Sequence, residues 1–196
     1  MILPIVAYGD PVLRKECEDI SKAYPNLDTL LENMYETMYG ASGVGLAAPQ
    51  IGLPIRIFLV DASPFADKDQ MDAQELAQVE GFKKTFINAT ILEEHGEEFA
   101  FNEGCLSIPD VREDVLRKPD ITIEYYDESF TKHTQEFTGI IARIIQHEYD
   151  HIEGILFTDK LSSLKKRILK GRLTNISKGK ATADYRMRFP NAKKKR

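Results

Sequence analysis

Apolar positions in this chain keep two periods, and the changes between them divide it into elements. After Pro25-Asn26, Leu27, Leu30, Leu31, Met34 and Met38 recur at three- and four-residue intervals. This predicts an amphipathic helix over residues 26–39 with Gly40 as its stop. Residues 55–61 form an almost continuous apolar run, the pattern of a buried strand. Residues 84–92 and 98–101 also read as strands. Residues 121–127 alternate cleanly, Ile121, Ile123 and Tyr125 against Thr122, Glu124 and Tyr126, and residues 131–137 can return antiparallel to them. Residues 62–81 are polar and acidic, hold a short helix near 71–79, and read as an insertion. Helical spacing returns in residues 140–152 and again in 161–170. Strands precede helices without β-α alternation, which points to an α+β fold. No internal repeat and no second domain is visible: residues 1–170 read as one domain and 171–196 as a basic, partly flexible carboxyl-terminal extension.

The helix between Thr138 and Gly154 carries the chemistry. Thr138 can cap its start, and Gly154 suits the left-handed turn that ends a helix. Ile140, Ile144, His147 and His151 share one sector of the helical wheel. Ile141, Ile145, Glu148 and Ile152 share the adjoining one, and Arg143, Gln146, Asp150 and Glu153 form a polar stripe on the far side. His147-Glu148-x-x-His151 sets two imidazoles one turn apart on one face, so both reach the same ion. Glu148 is rotated off the ligand line and can act as general base toward a bound water. The competing reading, histidines that merely pack, leaves two imidazoles and a carboxylate on an apolar face without partners.

A catalytic metal site has three protein ligands, so a third must come from elsewhere. Cys17 lies in the charged run Lys15-Glu16-Cys17-Glu18-Asp19. Cys105 lies in Asn102-Glu103-Gly104-Cys105-Leu106-Ser107-Ile108-Pro109, which reads as a fixed, tightly turned loop. A lone cysteine is usually a small buried hydrophobe. Beside a two-histidine site lacking its third ligand, Cys105 is the better choice. His95 and His133 lie in polar surroundings and are expected at the surface. Gly43-Val-Gly45-Leu-Ala-Ala48 loosely resembles a dinucleotide fingerprint, but a helical pattern precedes it where a strand is required, so no nucleotide cofactor is expected. The stretch reads instead as a tight loop whose backbone approaches a ligand and sets Gln50 beside it, where the side-chain amide can donate to a developing oxyanion.

Composition narrows the setting. The net charge is −5, but residues 161–196 hold 13 Lys and Arg and one acid, Asp184, a net +12; residues 1–160 hold 13 basic and 30 acidic residues, a net −17. An acidic body with a basic end suits contact with a polyanion, against the plainer reading of a solvated extension. Two cysteines, no signal-peptide pattern and no run of membrane-spanning length lead to the expectation of a cytoplasmic protein without membrane contact.

Gly43-Val-Gly-Leu-Ala-Ala-Pro-Gln50, Glu103-Gly-Cys-Leu-Ser107 and Gln146-His-Glu-Tyr-Asp-His151 resemble, in order, the three signature motifs of the peptide deformylases. Tyr8-Gly-Asp-Pro-Val-Leu-Arg-Lys15 and Gly154-Ile-Leu-Phe-Thr-Asp159 extend the similarity to about residues 5–165. The resemblance implies an α+β fold with the H-E-x-x-H helix among antiparallel sheets. It implies removal of the formyl group from N-formylmethionine of nascent chains, and one divalent ion, Fe²⁺ natively, with Zn²⁺, Ni²⁺ or Co²⁺ able to replace it. It makes Cys105, His147 and His151 the metal ligands, Glu148 the acid/base, and Gln50 with the Leu106 N–H the oxyanion donors. Gly45 would contact the substrate backbone, Val44, Glu103, Ile140 and Ile144 would line or support the methionine pocket, and Arg112 would steady the peptide. The natural partners would be nascent formylmethionyl peptides, with transient ribosome contact through the basic end. The sequence departs from the family pattern at Asn88-Ala89, where Asn-Pro is common, and in the length of residues 62–81. The alternatives are another H-E-x-x-H metallopeptidase and a non-catalytic ribosome-binding metal domain.

Overall fold

The structure is a computed structural model that describes residues 1–191. The expectation for the last residues of the chain, 192–196, lies outside the described residues. The elements run β1 (Ile5–Val6), α1 (Leu27–Gly40), β2 (Gly45–Ala47), β3 (Ile57–Asp61), α2 (Ala73–Glu80), β4 (Lys83–His95), β5 (Phe99–Cys105), β6 (Ile108–Arg117), β7 (Asp120–Tyr126), β8 (Lys132–Phe137), α3 (Gly139–Ile152), α4 (Ser163–Ser177) and β9 (Met187–Arg188). Strands β2, β3, β4, β7 and β8 form one sheet in that order, with every pairing antiparallel. β5 and β6 form a separate antiparallel hairpin, and β1 pairs with β9 in parallel. This is the expected α+β arrangement.

The five-stranded sheet is covered on both faces. Successive side chains of a strand point to opposite sides, and β3 uses both: Phe58 and Val60 face the core beneath α3, while Ile57 and Leu59 face α1. That is why residues 55–61 read as continuously apolar. On the α3 side, Phe86 stacks on Phe58 at 4.7 Å between ring centroids and lies 4.5 Å from Tyr125. Ile141, Ile145 and Ile152 of α3 close this core. Leu31, Met34 and Met38 of α1 close the other. A third cluster joins α4 to β6 through Leu169, Leu173, Ile176, Val111 and Val115.

Several boundaries differ from the sequence expectations. The segment 102–109, read as a loop, is the end of β5, the two-residue turn Leu106-Ser107 and the start of β6, and the whole of β6 had no predicted counterpart. The last helix runs to Ser177 rather than ending at 170, so the expected domain limit falls inside it. Residues 171–191 are seated through buried Leu173 and Ile176 and through the β1–β9 pairing. Thr138 occupies the cap position of α3 but makes no capping side-chain hydrogen bond. The far-side stripe of that helix is not a solvent face: Arg143, Gln146 and Asp150 are all buried. No helix among the described residues is long and apolar enough to cross a membrane.

Gly154 has φ +71°, and a β-carbon there would lie 2.8 Å from the carbonyl carbon of Arg14. Both facts exclude a side chain. Gly154→Ala is expected to cost about 1–3 kcal/mol, read as a lower urea midpoint at unchanged slope.

Candidate metal centre

Three distant parts of the chain meet at one point. α3 presents His147 and His151 with ring centroids 5.2 Å apart. The β5–β6 hairpin brings Cys105, whose Sγ lies 3.3 Å from His151 Nε2. One ligand atom from each of Cys105, His147 and His151 lies within 4.8 Å of the other two. Ligands at about 2.0–2.3 Å from a tetrahedral ion stand roughly 3.4–3.7 Å from one another, so small side-chain adjustments would seat an ion. No fourth His, Cys, Asp or Glu among the described residues joins the group.

Glu103 fixes the orientation of the first imidazole. Its Oε2 accepts from His147 Nδ1 at 2.9 Å, which leaves Nε2 for the cluster. Arg117 grips the same carboxylate with Nε and Nη2 at 2.7 and 2.9 Å, and Arg143 adds Nη1 at 3.1 Å. The other arm of Arg117 reaches Asp150 Oδ2 at 2.6 Å, one turn along α3. Burial by itself would raise the Glu103 carboxyl, but the hydrogen bonds from His147 and Arg117 and the Arg117 charge hold it well below the ordinary carboxylate range. A histidine ligand commonly donates its second N–H to a carboxylate in this way.

The electrostatics favour a cation. Burial opposes a charged His147, yet hydrogen bonds to Cys105 and Glu103 push it up to about 10. Burial, with the neighbouring His147 charge, drives His151 well below its usual value, so it stays neutral with a lone pair to give. Its Nδ1 finds no partner among the described residues. A site that draws a proton between a thiol and a carboxylate, beside a neutral imidazole, has the donor chemistry of a divalent soft-to-borderline ion.

Glu148 is buried beside this group, and its Oε2 has no hydrogen-bond partner among the described residues. Burial raises its carboxyl to about 7. Gly45 makes room for it: a β-carbon at 45 would sit 2.6 Å from Glu148 Cδ. Gln50 is held by its own Oε1, which accepts from the Ala47 N–H at 2.8 Å, so its Nε2 faces Cys105 Sγ at 3.6 Å and Ser107 Oγ at 3.4 Å. A cavity of about 790 Å³ opens onto the group, and Val44, Leu106, Arg112, Ile140 and Ile144 all line it.

The sequence-predicted site residues therefore converge. Glu103, expected to line or support the methionine pocket, reaches the cavity but spends its carboxylate on His147, Arg117 and Arg143. His95 and His133 stand apart, paired with Glu136 and Asp127. Cys17 is buried, and burial pushes its thiol up to about 11, the state of a small hydrophobe. Sequence reasoning missed Arg117 and the cavity residues Phe65, Phe101 and Tyr185. Arg117 carried no local signal, since its partners are 14 and 33 positions away.

The family model for polypeptide deformylase matches residues 2–167. The chain belongs to the polypeptide deformylase family. A peptide deformylase of Christiangramia forsetii is 65% identical over 196 residues, covering all of both chains. Among solved structures, the peptide deformylase of Legionella pneumophila is 32% identical with a TM-score of 0.76, over 92% of this chain and 98% of that one. The Met-Ala-Ser-bound enzyme of Acinetobacter baumannii is 31% identical with a TM-score of 0.72, over 82% and 99%. As a polypeptide deformylase, the protein is a hydrolase of N-terminal processing that removes the formyl group from nascent peptides during protein biosynthesis.

If Glu103 orients His147, Glu103→Gln should weaken metal binding by about 10–100-fold. Chelator competition followed by cobalt absorbance measures this, and unchanged affinity would remove the orienting role.

Proposed function

We propose that Cys105, His147 and His151 bind one divalent ion, Fe²⁺ natively with Zn²⁺, Ni²⁺ or Co²⁺ as substitutes, and that Glu148 is the acid/base in deformylation. The observation that carries this reading is the meeting of a thiol and two imidazoles next to a buried, unpartnered carboxylate at the mouth of a cavity. Catalytic sites commonly use three protein ligands, structural zinc sites four. When bound, the ion supplies Lewis acidity and lowers the pKa of water from about 15.7 toward about 7.

The side chains divide the remaining work. Glu148 takes a proton from the attacking water and returns it to the leaving amide nitrogen, so that formate and a free amine result. Gln50 Nε2 and the Leu106 N–H donate to the carbonyl oxygen as it gains charge, and one such donor is worth about 2.7–4 kcal/mol. Val44, Ile140 and Ile144 receive the methionine side chain. The Gly45 backbone and Arg112 hold the peptide beyond it. Arg112 is itself aimed by Asn102, which accepts from its Nε at 2.9 Å. The Met-Ala-Ser in the Acinetobacter baumannii structure is the kind of peptide such a cleft would release.

The basic carboxyl end makes transient contact with the ribosome, and the protein acts in the cytoplasm. Support comes from α4, where Lys166, Arg167, Lys170 and Arg172 are all exposed. Cations of this kind meet nucleic-acid phosphates in a salt-dependent way. Deleting the whole end would remove the buried Leu173 and Ile176, so charge reversal is the cleaner test. Lys170→Glu with Arg172→Glu should lower ribosome co-sedimentation at low salt; binding equal to that of the unaltered protein would leave the end a solvated extension.

Formate release from formyl-Met-Ala-Ser by anaerobically purified protein tests the whole reading, with casein as the control for general peptidase action. Glu148→Ala is expected to retain the ion and to lose most of its turnover, by about 10²–10⁴-fold. Near-normal turnover would reassign the base. A formyl carbon bears only hydrogen, so acetyl-Met peptides should clash in the site. Comparable hydrolysis of formyl and acetyl substrates would remove steric exclusion as the source of selectivity.

A further inference from the structure

Residues 41–44 connect α1 to β2, and together with Gly40 and Gly45 all of them line the cavity. The backbone here passes close to the centre. A β-carbon at Gly43 would lie 2.8 Å from Leu106 Cδ1, and one at Gly45 would lie 2.6 Å from Glu148 Cδ. Ser42 turns the connection with φ +53°.

Both ends of this connection are tied to one residue. At its start, the Tyr39 hydroxyl donates to Asp61 Oδ2 at 2.7 Å. At its end, the Val44 carbonyl accepts from the Asp61 N–H at 2.9 Å. Asp61 is the last residue of β3, and its second carboxylate oxygen, Oδ1, accepts from the Ser63 N–H at 3.0 Å. Ser63 opens the short 3-10 turn Ser63–Phe65, and Phe65 lines the same cavity. The end of α1, the start of β2 and the start of the 62–81 insertion are thus all referred to a single side chain and its own N–H.

Strand pairing does not ask for a carboxylate at this position, because the ladder uses main-chain groups only. Aspartate is depleted in strands, and this one is buried. A buried charge is retained only where hydrogen bonds compensate it. Burial by itself would raise the Asp61 carboxyl, but the hydrogen bonds from Ser63 and Tyr39 hold it below its ordinary value. It is therefore ionised, and its hydrogen bonds are of the stronger, charge-assisted kind. Lys83, its cross-strand neighbour in β4, lies over the rings of Tyr35 and Tyr39 at 4.2 and 5.6 Å from their centroids. Tyr39 is held by its face as well as by its hydroxyl.

We propose that Asp61 is a positioning residue for deformylation: through Tyr39 and Ser63 it sets the connection 40–45 and Phe65 at the spacing that the formylmethionyl backbone needs. Asp61 itself does not line the cavity. It acts through the backbone that Gly45 offers to the substrate, and so rests on the deformylase reading of the site.

The test measures kcat and KM for formyl-Met-Ala-Ser, and metal affinity by chelator competition, on the metal-loaded protein and three variants. Asp61→Ala loses both side-chain ties, and Tyr39→Phe loses one. Asp61→Asn can keep both, its amide oxygen accepting from Ser63 and its NH2 donating to the Tyr39 oxygen. A misplacement of about 1 Å can cost about 10²-fold, and the loss of these ties is smaller, so KM should rise about five- to twentyfold in Asp61→Ala and about two- to fivefold in Tyr39→Phe. Raised KM with kcat held within about twofold is the mark of lost uniform binding. Metal affinity should not change, and Asp61→Asn should bring KM back to within about twofold of the unaltered protein. A purely structural role would lower the amount of folded protein, which reduces apparent kcat without moving KM. An unchanged KM in Asp61→Ala and Tyr39→Phe overturns the positioning role, whatever happens to their thermal stability. So does an Asp61→Asn as impaired as Asp61→Ala, or a rise in KM that accompanies weaker metal binding. Should Asp61→Ala fail to fold, Tyr39→Phe, which removes a single oxygen, decides the matter alone. Absence of formate with the unaltered protein overturns the deformylase reading and this one together.

Discussion

The buried carboxylate of Glu103 is the constraint on which the centre depends. It sits in β5, two residues before Cys105, and accepts from His147, Arg117 and Arg143. Through it, the hairpin that carries the sulfur is joined to the helix that carries the imidazoles. Arg117 then returns to that helix at Asp150, so the two elements are locked at two successive turns. Removing one partner from such a buried set leaves an uncompensated charge, at about 3–5 kcal/mol. The network therefore sets the orientation of His147 and the position of the hairpin at once. A hairpin free to slide along α3 would carry Cys105 out of reach of His151.

The larger sheet supplies the fixed surface on which this clamp works. Both of its faces are covered, so α3 is held by Phe58, Phe86 and Tyr125 beneath it while its opposite side meets the hairpin. This explains why α3 has no free face. Its apolar residues pack on the sheet, and its polar residues are used by the hairpin. Gln146 illustrates the second use, donating to Lys118 O at 3.0 Å and so tying the helix to the β6–β7 connection. β2 ends the sheet with Gly45 beside Glu148, so that this backbone and the buried carboxylate occupy neighbouring space without a side chain between them.

The helices and the strands of the sheet were legible in the sequence because their burial is apolar and periodic. β6 was not, and the reason is physical. Its inward positions run Val111, Glu113, Val115, Arg117, an alternation in which half the members are charged. Those charges are satisfied by partners far along the chain: Arg117 by Glu103 and Asp150, Glu113 by Lys165 at 2.7 Å. A local pattern cannot reveal a partner of that kind, and sites of function are where patterning fails first. The same cause hid the stripe of Arg143, Gln146 and Asp150, which looks solvent-facing on a helical wheel. The proposed metal ligands and Glu148 were legible for the opposite reason, since two of the three proposed ligands and the proposed base lie within five residues on one helix. The extended strap over 181–189, which follows α4, does alternate, but its inward residues begin with two alanines and its outward ones include Arg186 and Arg188, so the basic composition of the chain end masked the period.

Two segments outside the three motifs reach the same cavity from opposite directions along the chain. The insertion over 62–81 brings Phe65, whose ring meets Phe101 edge-on at 6.1 Å, and the strap brings Tyr185. Both border the cavity onto which the cluster of thiol and imidazoles opens. The reacting unit is the same for every nascent chain, a formyl group on methionine, and the residues proposed to handle it are pinned by the Glu103 network and by the two-faced sheet. Residues downstream of the methionine differ from one nascent chain to the next, and two connecting segments border the cavity with Phe65 and Tyr185. Segments of that kind can change without disturbing the core. The fold thus sets the thiol and imidazoles among buried, paired charges, while the connecting segments that border the cavity carry exposed side chains such as Asp184.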